Sequence, residues 1–237
     1  MRLVCVLLLI AGAFGFASPA LGDDPSRIDA YVTPYYDSSG PVVRIGQYSA
    51  GLASKNQGTF VATIRAMKRQ WSRLDFLELY VGAIRLYDLG YRNEAVYWFY
   101  SAQYKGRQFA LLVDRKRLGG IGDPAFELYH AQDAFFQLVG PDVNGYAFGD
   151  IDSLVEIIRR VQKENGAVAN LALIYPRIAF TDKKLWPQEN AELNAGLGKL
   201  AASLPSQKAA IARQCAQNGT QARFSHLTST PFPGGLP

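Results

Sequence analysis

Cysteine and histidine are the scarcest chemistry-bearing residues of this 237-residue chain, with two of each. Cys5 lies inside the first apolar run, and only Cys215 lies beyond that run. A single cysteine forms no internal disulfide, so the fold has to depend on its hydrophobic core. We interpret Cys215 as a small apolar residue on the inner face of a terminal helix, with a reactive or interchain thiol as the alternative.

The sequence also lacks the motifs of common metal, phosphate and serine-hydrolase sites. A metal site needs three or four ligands. His130 has Glu127 three residues before it but no cysteine or second histidine nearby in the sequence, and His226 lies in the last segment. No G-x-S-x-G motif is present, and the glycine-rich stretch 119–122 lacks the Lys-Ser/Thr ending of a phosphate loop. We therefore expect no metal and no cofactor, and we assign no catalytic residue.

Positive charge is modest and dispersed along the sequence. The formal net charge is +5. The basic residues occur in short groups at 68–69, 115–117 and 159–160, without an arginine-rich tract or a basic-aromatic module. Nucleic-acid-binding domains concentrate their lysines and arginines, so we expect no nucleic-acid partner. A mildly basic surface can still attract an acidic partner.

Residues 1–22 have the order of a secretory signal peptide. Arg2 supplies the positive start, Leu3 to Phe16 form the apolar run, and Ala20-Leu21-Gly22 form the small-residue cleavage site. A membrane-spanning helix needs about 20 apolar residues, and this run is shorter. We expect cleavage after Gly22 and export, to the periplasm in a bacterium and to the outside otherwise, with no membrane span after cleavage.

Hydrophobic periodicity divides the rest of the chain into three parts. Residues 23–58 contain short β-prone runs and turn residues, which predict an irregular N-terminal arm with a hairpin. Residues 59–219 carry apolar residues at helical spacing, which predict a helical domain. Residues 220–237 are expected to form a flexible tail. The predicted fold class is mainly α: a body of helical hairpins with a short irregular or β-prone N-terminal arm.

Polar, glycine and proline residues predict where helices begin and end. N-caps are predicted at Asn93, Asp123 and Asp150. Helix ends are predicted at Gly106, at Gly140-Pro141 and at Pro205, since glycine and proline interrupt helices.

Two helices are predicted from about Leu79 to Arg107, where the chain reads YVGAIRLYDLGYRNEAVYWFYSAQYKGR. Small residues, Gly82 and Ala83, stand where the helices would cross, and aromatic residues fill the groove beside them. This pair resembles one unit of the tetratricopeptide/Sel1 helical-repeat class. Since no second copy follows at a fixed period, the resemblance implies a helical hairpin and no extended array.

A narrower resemblance covers roughly residues 74–163. The stretches EAVYWFYSAQYKGR and GPDVNGYAFGDIDSL resemble those of small exported bacterial proteins that are often encoded beside effectors of contact-dependent secretion systems. That resemblance implies a periplasmic immunity protein, whose partner is a secreted effector toxin that it binds and blocks. No site residue carries over from it.

The aromatic run 97–100 leads to a hypothesis about binding. Successive side chains on a helix turn by about 100°, so these four cannot all face one core. We expect Ala95, Phe99 and Ala102 to point inward, with the alanines buried at a helix crossing. The remaining aromatic residues either pack on the N-terminal arm or form a protein-binding surface, where tyrosine and arginine are favoured. The predicted interface residues are Arg85, Arg92, Tyr97, Tyr100, Tyr104 and Arg107.

The alternative function is an exported hydrolase of cell-wall or glycan material. Paired carboxylates cleave glycosidic bonds, and Glu78, Asp88 and Glu94 are the candidates because they lie on the two predicted helices of the hairpin.

Overall fold

The computed structural model describes residues 24–40 and 42–235, so the predicted signal peptide lies outside the described residues. These residues are mainly helical, as the sequence predicts. The helices are α1 (Ser49–Ala53), α2 (Gln57–Arg69), α3 (Phe76–Asp88), α4 (Arg92–Leu112), α5 (Pro124–Ala147), α6 (Ile151–Glu164), α7 (Leu171–Ile174), α8 (Trp186–Gln217) and α9 (Thr220–Phe224). Within the described ranges, none of them combines the length and apolar character needed to cross a bilayer.

The N-terminal arm contains three two-residue strands, β1 (Tyr31–Val32), β2 (Tyr36–Asp37) and β3 (Val42–Val43). They pair antiparallel in the order β1-β2-β3, with Tyr36 opposite both Val32 and Val43. The arm is fixed to α3 by side-chain hydrogen bonds, one of which the Tyr87 hydroxyl donates to the Pro25 carbonyl at 3.0 Å. The Ile28 amide donates to Asp88 Oδ1 at 3.0 Å, and Arg85 Nε donates to the Leu52 carbonyl at 3.0 Å.

Helices α3 and α4 form the most extensively paired hairpin of the chain. A capping box begins α3: Asp75 Oδ1 accepts from the Glu78 amide at 2.7 Å, and Glu78 Oε2 accepts from the Asp75 amide at 2.9 Å. The helices approach closely at Gly82, where an added Cβ would lie 2.6 Å from Cε3 of the buried Trp98. Glycine is required at this crossing because the indole ring occupies the place of a side chain.

The α3–α4 hairpin is the centre of the molecule, and the later helices cover it. The Tyr80 ring of α3 stacks on Phe135 of α5 with 5.1 Å between centroids. Helix α6 packs against both α4 and α8. Asn194 Nδ2 of α8 donates to the Gln162 carbonyl of α6 at 2.8 Å. As a result, α4 has neighbours on nearly every side, and Ala95 and Ala102 are fully buried, as predicted.

Several predicted helix ends are wrong. Helix α4 continues past Gly106 to Leu112, α5 continues through Pro141, and α8 continues through Pro205. Gly106 is required by close packing, since an added Cβ would lie 2.5 Å from Gln132 Cγ. A proline inside a helix costs about 3 kcal/mol, which the tertiary packing of these long helices has to offset.

Two of the three predicted N-caps are confirmed. Asp123 accepts from the Ala125 amide and Asp150 accepts from the Ser153 amide. Asn93 is no cap, because α4 begins at Arg92.

Residues 220–235 pack on the body, which differs from the flexible tail that the sequence predicts. Phe232 is buried with its ring 5.2 Å from that of Tyr91, and the Thr230 amide donates to the Gly90 carbonyl at 2.9 Å. Burial of the Phe232 ring contributes about 1.5–3 kcal/mol, and the backbone hydrogen bond to Gly90 adds to it. Cys215 is buried and unpaired, and burial raises the pKa of its thiol.

Candidate functional site

The three tyrosines of the predicted interface are buried. Tyr97, Tyr100 and Tyr104 expose 0%, 9% and 2% of their surface. The expectation that some of them are exposed is therefore wrong. The reason is tertiary: α4 is enclosed by α3, α5, α6 and α8, so a side chain that points away from α3 meets another helix.

Two of these tyrosines connect α4 to neighbouring helices. The Tyr100 hydroxyl donates to Asn144 Oδ1 of α5 at 3.0 Å, and the Tyr104 hydroxyl donates to Asn190 Oδ1 of α8 at 2.7 Å. Burial raises the pKa of Tyr104 to about 12, so its hydroxyl stays protonated at neutral pH. Each ring fills space between helices while its hydroxyl donates to a side-chain amide oxygen of the neighbouring helix.

Two predicted interface arginines bind backbone carbonyls within the chain. Besides Leu52, Arg85 contacts Asp88, with 3.2 Å between Arg85 Nη1 and Asp88 Oδ2. Arg92 Nη1 donates to the Thr228 carbonyl at 2.6 Å. These arginines fix the arm and the C-terminal segment to the hairpin.

The third predicted arginine, Arg107, lines a narrow cleft together with Tyr100 and Tyr104. Leucines of α8 form the opposite wall: Leu193, Leu197, Leu200 and Leu204. The cleft has a volume of about 40 Å³, whereas ligand pockets measure about 300–1,000 Å³. We interpret it as a packing gap between helices.

Tyr97 belongs to a cation–aromatic cluster that consists of Lys68, Trp71, Tyr97, Arg160 and Glu164. The Trp71 and Tyr97 rings stack with 5.3 Å between centroids. Lys68 Nζ lies 4.1 Å from the Trp71 ring centroid, and the Arg160 guanidinium lies 3.8 Å from that of Tyr97. Lys68 Nζ donates to Tyr97 Oη and to Glu164 Oε2, each at 2.9 Å, and Tyr97 Oη donates to Glu164 Oε2.

The charges of this cluster compensate one another. Burial lowers the pKa of Lys68, and the nearby Glu164 carboxylate opposes that shift. Burial would raise the pKa of Glu164, but hydrogen bonds from Tyr97 and Lys68 outweigh it, so the net shift is downward. Burial and Glu164 raise the pKa of Tyr97, so the phenol stays protonated. The cluster therefore has no activated phenolate, and it holds α2, α4 and α6 together.

A surface depression between α4 and α6 adjoins this cluster, and we call it the α4–α6 depression. Its lining residues are Asn93, Glu94, Ser153, Glu156, Ile157 and Arg160, and its volume is about 250 Å³. Arg160 joins the depression to the cluster, since its Nη1 lies 3.1 Å from Glu94 Oε1 and its Nε lies 3.4 Å from Glu164 Oε1.

Glu94 is the unusual residue of the depression. Its side chain is 22% exposed. Its second oxygen, Oε2, is buried and has no hydrogen-bond partner within the described part of the chain. A buried acceptor without a partner costs about 1–3 kcal/mol. Glu94 therefore lines the depression while one of its two carboxylate oxygens is buried without a partner.

The three carboxylates considered for a hydrolase are not brought together. Glu78 belongs to the capping box at the start of α3, and Asp88 lies at the other end of α3 with Arg85 and the Ile28 amide. Ten residues of helix separate Glu78 from Asp88, about 15 Å along the axis. Glu94 instead pairs with Arg160. These residues do not form the carboxylate pair that the hydrolase hypothesis requires.

Sequence reasoning did not find Arg160 or Glu156 as parts of a site. Arg159 and Arg160 are adjacent in the sequence and form one of its short, dispersed basic groups. Arg160 instead contacts Tyr97 and Glu94. These residues are more than 60 positions apart in the sequence, and the packing of α6 on α4 brings them together. No local sequence pattern predicts such a contact.

Comparison with known proteins gives one distant relative. An uncharacterized protein of Haemophilus influenzae is 24% identical to this chain over 152 residues. The aligned region covers 62% of this chain and 56% of that protein, so the chain spans little more than half of the relative's length. No family model matches the chain, and no solved structure matches it. The relative's description assigns no activity.

Proposed function

We propose that this chain is an exported binding protein that holds another protein at the α4–α6 depression. The observation that carries the proposal is the Glu94 carboxylate, one oxygen of which lacks a partner at the depression. Export is supported by the sequence of residues 1–22.

The depression is suited to a basic side chain of the partner. A lysine or arginine would pair with the partly exposed Glu94 carboxylate, whose Oε2 becomes accessible when the side chain rotates, and it would approach Glu156, which is exposed. Its aliphatic stem would pack on Ile157. Arg160 does not oppose this strongly, because Glu94 and Glu164 already neutralise its charge. Pairing the buried oxygen would remove a cost that the free protein carries.

The resemblance of residues 74–163 to exported immunity-like proteins supports a secreted effector toxin as the partner. Helical hairpins of the repeat class also commonly work as binding surfaces. On this proposal the chain blocks the effector by contact and catalyses no reaction of its own.

Titration with a single basic side chain tests the chemistry of the depression. N-acetyl-arginine amide is added to the labelled protein and amide shifts are recorded by NMR, with the neutral isostere N-acetyl-citrulline amide as the control. We expect shift changes centred on residues 93–94 and 153–160, with a Kd on the order of 1 mM, and much weaker changes with citrulline.

The variants Glu94→Gln and Glu78→Gln sharpen this test. Glu94→Gln keeps the shape of the side chain but removes its charge, so the arginine response should be lost. Glu78→Gln removes a carboxylate that lies outside the depression, so the response should remain. Equal shifts with arginine and citrulline, or an undiminished response in Glu94→Gln, would contradict the proposal.

A further inference from the structure

One end of the molecule combines exposed cations with exposed apolar side chains, and we call it the basic end. It consists of two segments that we call connections: residues 111–122, which include the last two residues of α4, and residues 173–185, which include the last two residues of α7. They lie side by side, because Val113 and Phe180 form an antiparallel bridge. The Asp114 amide donates to the Ala179 carbonyl at 3.0 Å, and the Thr181 amide donates to the Leu112 carbonyl at 2.8 Å.

Charge is concentrated at the basic end. The two connections contain six basic residues and two acidic ones, a net charge of +4, whereas the whole chain has +5. The basic residues are Arg115, Lys116, Arg117, Arg177, Lys183 and Lys184, and all six are exposed. The two acidic residues, Asp114 and Asp182, accept hydrogen bonds from the amides of Lys116 and Lys184, so they act as turn caps.

Apolar side chains are exposed at the same end. Among the described residues, six large apolar side chains are exposed, and four of them belong to these connections: Leu111, Ile121, Leu173 and Leu185. Ile121 is the extreme case at 94% exposed. It stands at the tip of a turn between Gly119 and Gly122, both of which have positive φ. Such a turn holds an isoleucine away from the body of the protein.

We propose that the basic end binds the surface of a bilayer that contains anionic phospholipids. Along both connections the exposed apolar residues are separated by cations, whereas a protein interface typically has a centre depleted of charged residues. At a membrane surface, isolated apolar side chains enter the boundary between headgroups and acyl chains, while the neighbouring lysines and arginines meet phosphates. This function is independent of the α4–α6 depression.

Vesicle co-sedimentation tests this proposal. The purified protein is mixed with vesicles of equal parts phosphatidylglycerol and phosphatidylcholine, or of phosphatidylcholine alone. We expect binding to the anionic vesicles, weak binding to the neutral ones, and release as salt shortens the Debye length from about 30 to about 3 Å. All variants carry the same N-terminal segment, so a difference in vesicle binding between variants is caused by the substituted residues of the basic end.

A charge variant and its matched control assign the electrostatic part. In the variant, Lys116, Arg117 and Lys184 are each changed to Ser. Each basic residue near an anionic surface contributes about fourfold to fivefold in binding, so we expect a loss on the order of 100-fold. In the control, three exposed basic residues elsewhere, Arg159, Lys163 and Lys199, are changed to Ser. The net charge is the same, and we expect a loss of tenfold or less.

The variant Ile121→Ser distinguishes binding to a membrane from binding to an acidic protein, because only membrane binding requires the apolar side chain. Its control is Leu89→Ser, since Leu89 is 40% exposed and precedes α4, at the opposite end of that helix from Leu111. We expect Ile121→Ser to weaken vesicle binding about tenfold or more and Leu89→Ser to leave it unchanged. Equal binding to neutral and anionic vesicles would overturn the proposal. The proposal would also be overturned if the protein bound soluble polyglutamate as tightly as anionic vesicles, with the same sensitivity to salt, and if Ile121→Ser did not weaken that binding.

Discussion

Replacing Gly82 by alanine tests the packing on which the central hairpin depends. Two effects oppose each other. Alanine in a helix interior is favoured over glycine by about 1 kcal/mol. The added Cβ, however, would lie 2.6 Å from Trp98 Cε3 and 2.7 Å from Cζ3. Ordinary carbon contacts lie at about 3.5–4.0 Å, so the indole ring has to move.

The overlap should outweigh the gain in helix propensity. Trp98 is fully buried, so its ring has no free space to enter, and such overpacking costs about 1–3 kcal/mol. We expect a net loss of about 1–2 kcal/mol, which lowers Tm by roughly 2–8 °C for a domain of this size. Thermal denaturation followed by circular dichroism measures this shift.

A control and a double-mutant cycle complete the experiment. In Gly198→Ala the added Cβ meets Nε2 of Gln162 at 2.7 Å, the end of a flexible side chain that can turn away, so we expect little change. Trp98→Leu removes the clashing ring atoms. Gly82→Ala should therefore cost about 1–2 kcal/mol less in the Trp98→Leu background than in the wild type. A higher Tm for Gly82→Ala, or strict additivity in the cycle, would refute the reasoning.

Four further outcomes follow from the same structure. Ala102→Leu should lower the free energy of unfolding by about 1–3 kcal/mol through overpacking, and unchanged thermal stability would mean that this face of α4 is not at the crossing. Burial raises the pKa of Asp88 to about 6, so the folded chain holds more protons than the unfolded chain, and its stability should fall as the pH rises from about 4 to about 6. Asp88→Asn should flatten that dependence in urea denaturation by about 2 kcal/mol, and an unaltered profile would exclude this carboxyl as its source. Glu164→Gln should cost about 1.5–3 kcal/mol, because it deprives the buried Lys68 of its carboxylate; a loss below about 0.5 kcal/mol would place the pair among ordinary surface ion pairs. Mass spectrometry of the exported protein should show that residues 1–22 are absent, and a retained Met1 would contradict a cleaved signal peptide.

Local patterns in the sequence predict the helical body and some of its details. The spacing of apolar residues predicts a helix in each region where α2 to α6 lie, and Asp123 and Asp150 are N-caps as predicted because capping depends on residues that are adjacent in the chain. The small residues at the hairpin crossing are also predicted, since close helix contact requires them.

The features that depend on distant parts of the chain are not predicted. The tyrosines of α4 are buried because α6 and α8, which follow much later, cover them. Pro141 and Pro205 lie inside helices because tertiary packing outweighs their local preference. The site has the same origin, because Glu156 and Arg160, the residues that lie beside Glu94, come from a helix about 60 residues away.

Site-specific photo-crosslinking in the native host tests the proposed function most directly. A photoreactive amino acid replaces Glu156, which is exposed at the α4–α6 depression, and in a second strain it replaces Lys199, which is exposed on α8. We expect one discrete crosslinked protein from position 156, none from position 199, and loss of that product when Glu94→Gln is added. Crosslinking that is equal at the two positions, or that persists in Glu94→Gln, would contradict binding of a partner protein at the depression.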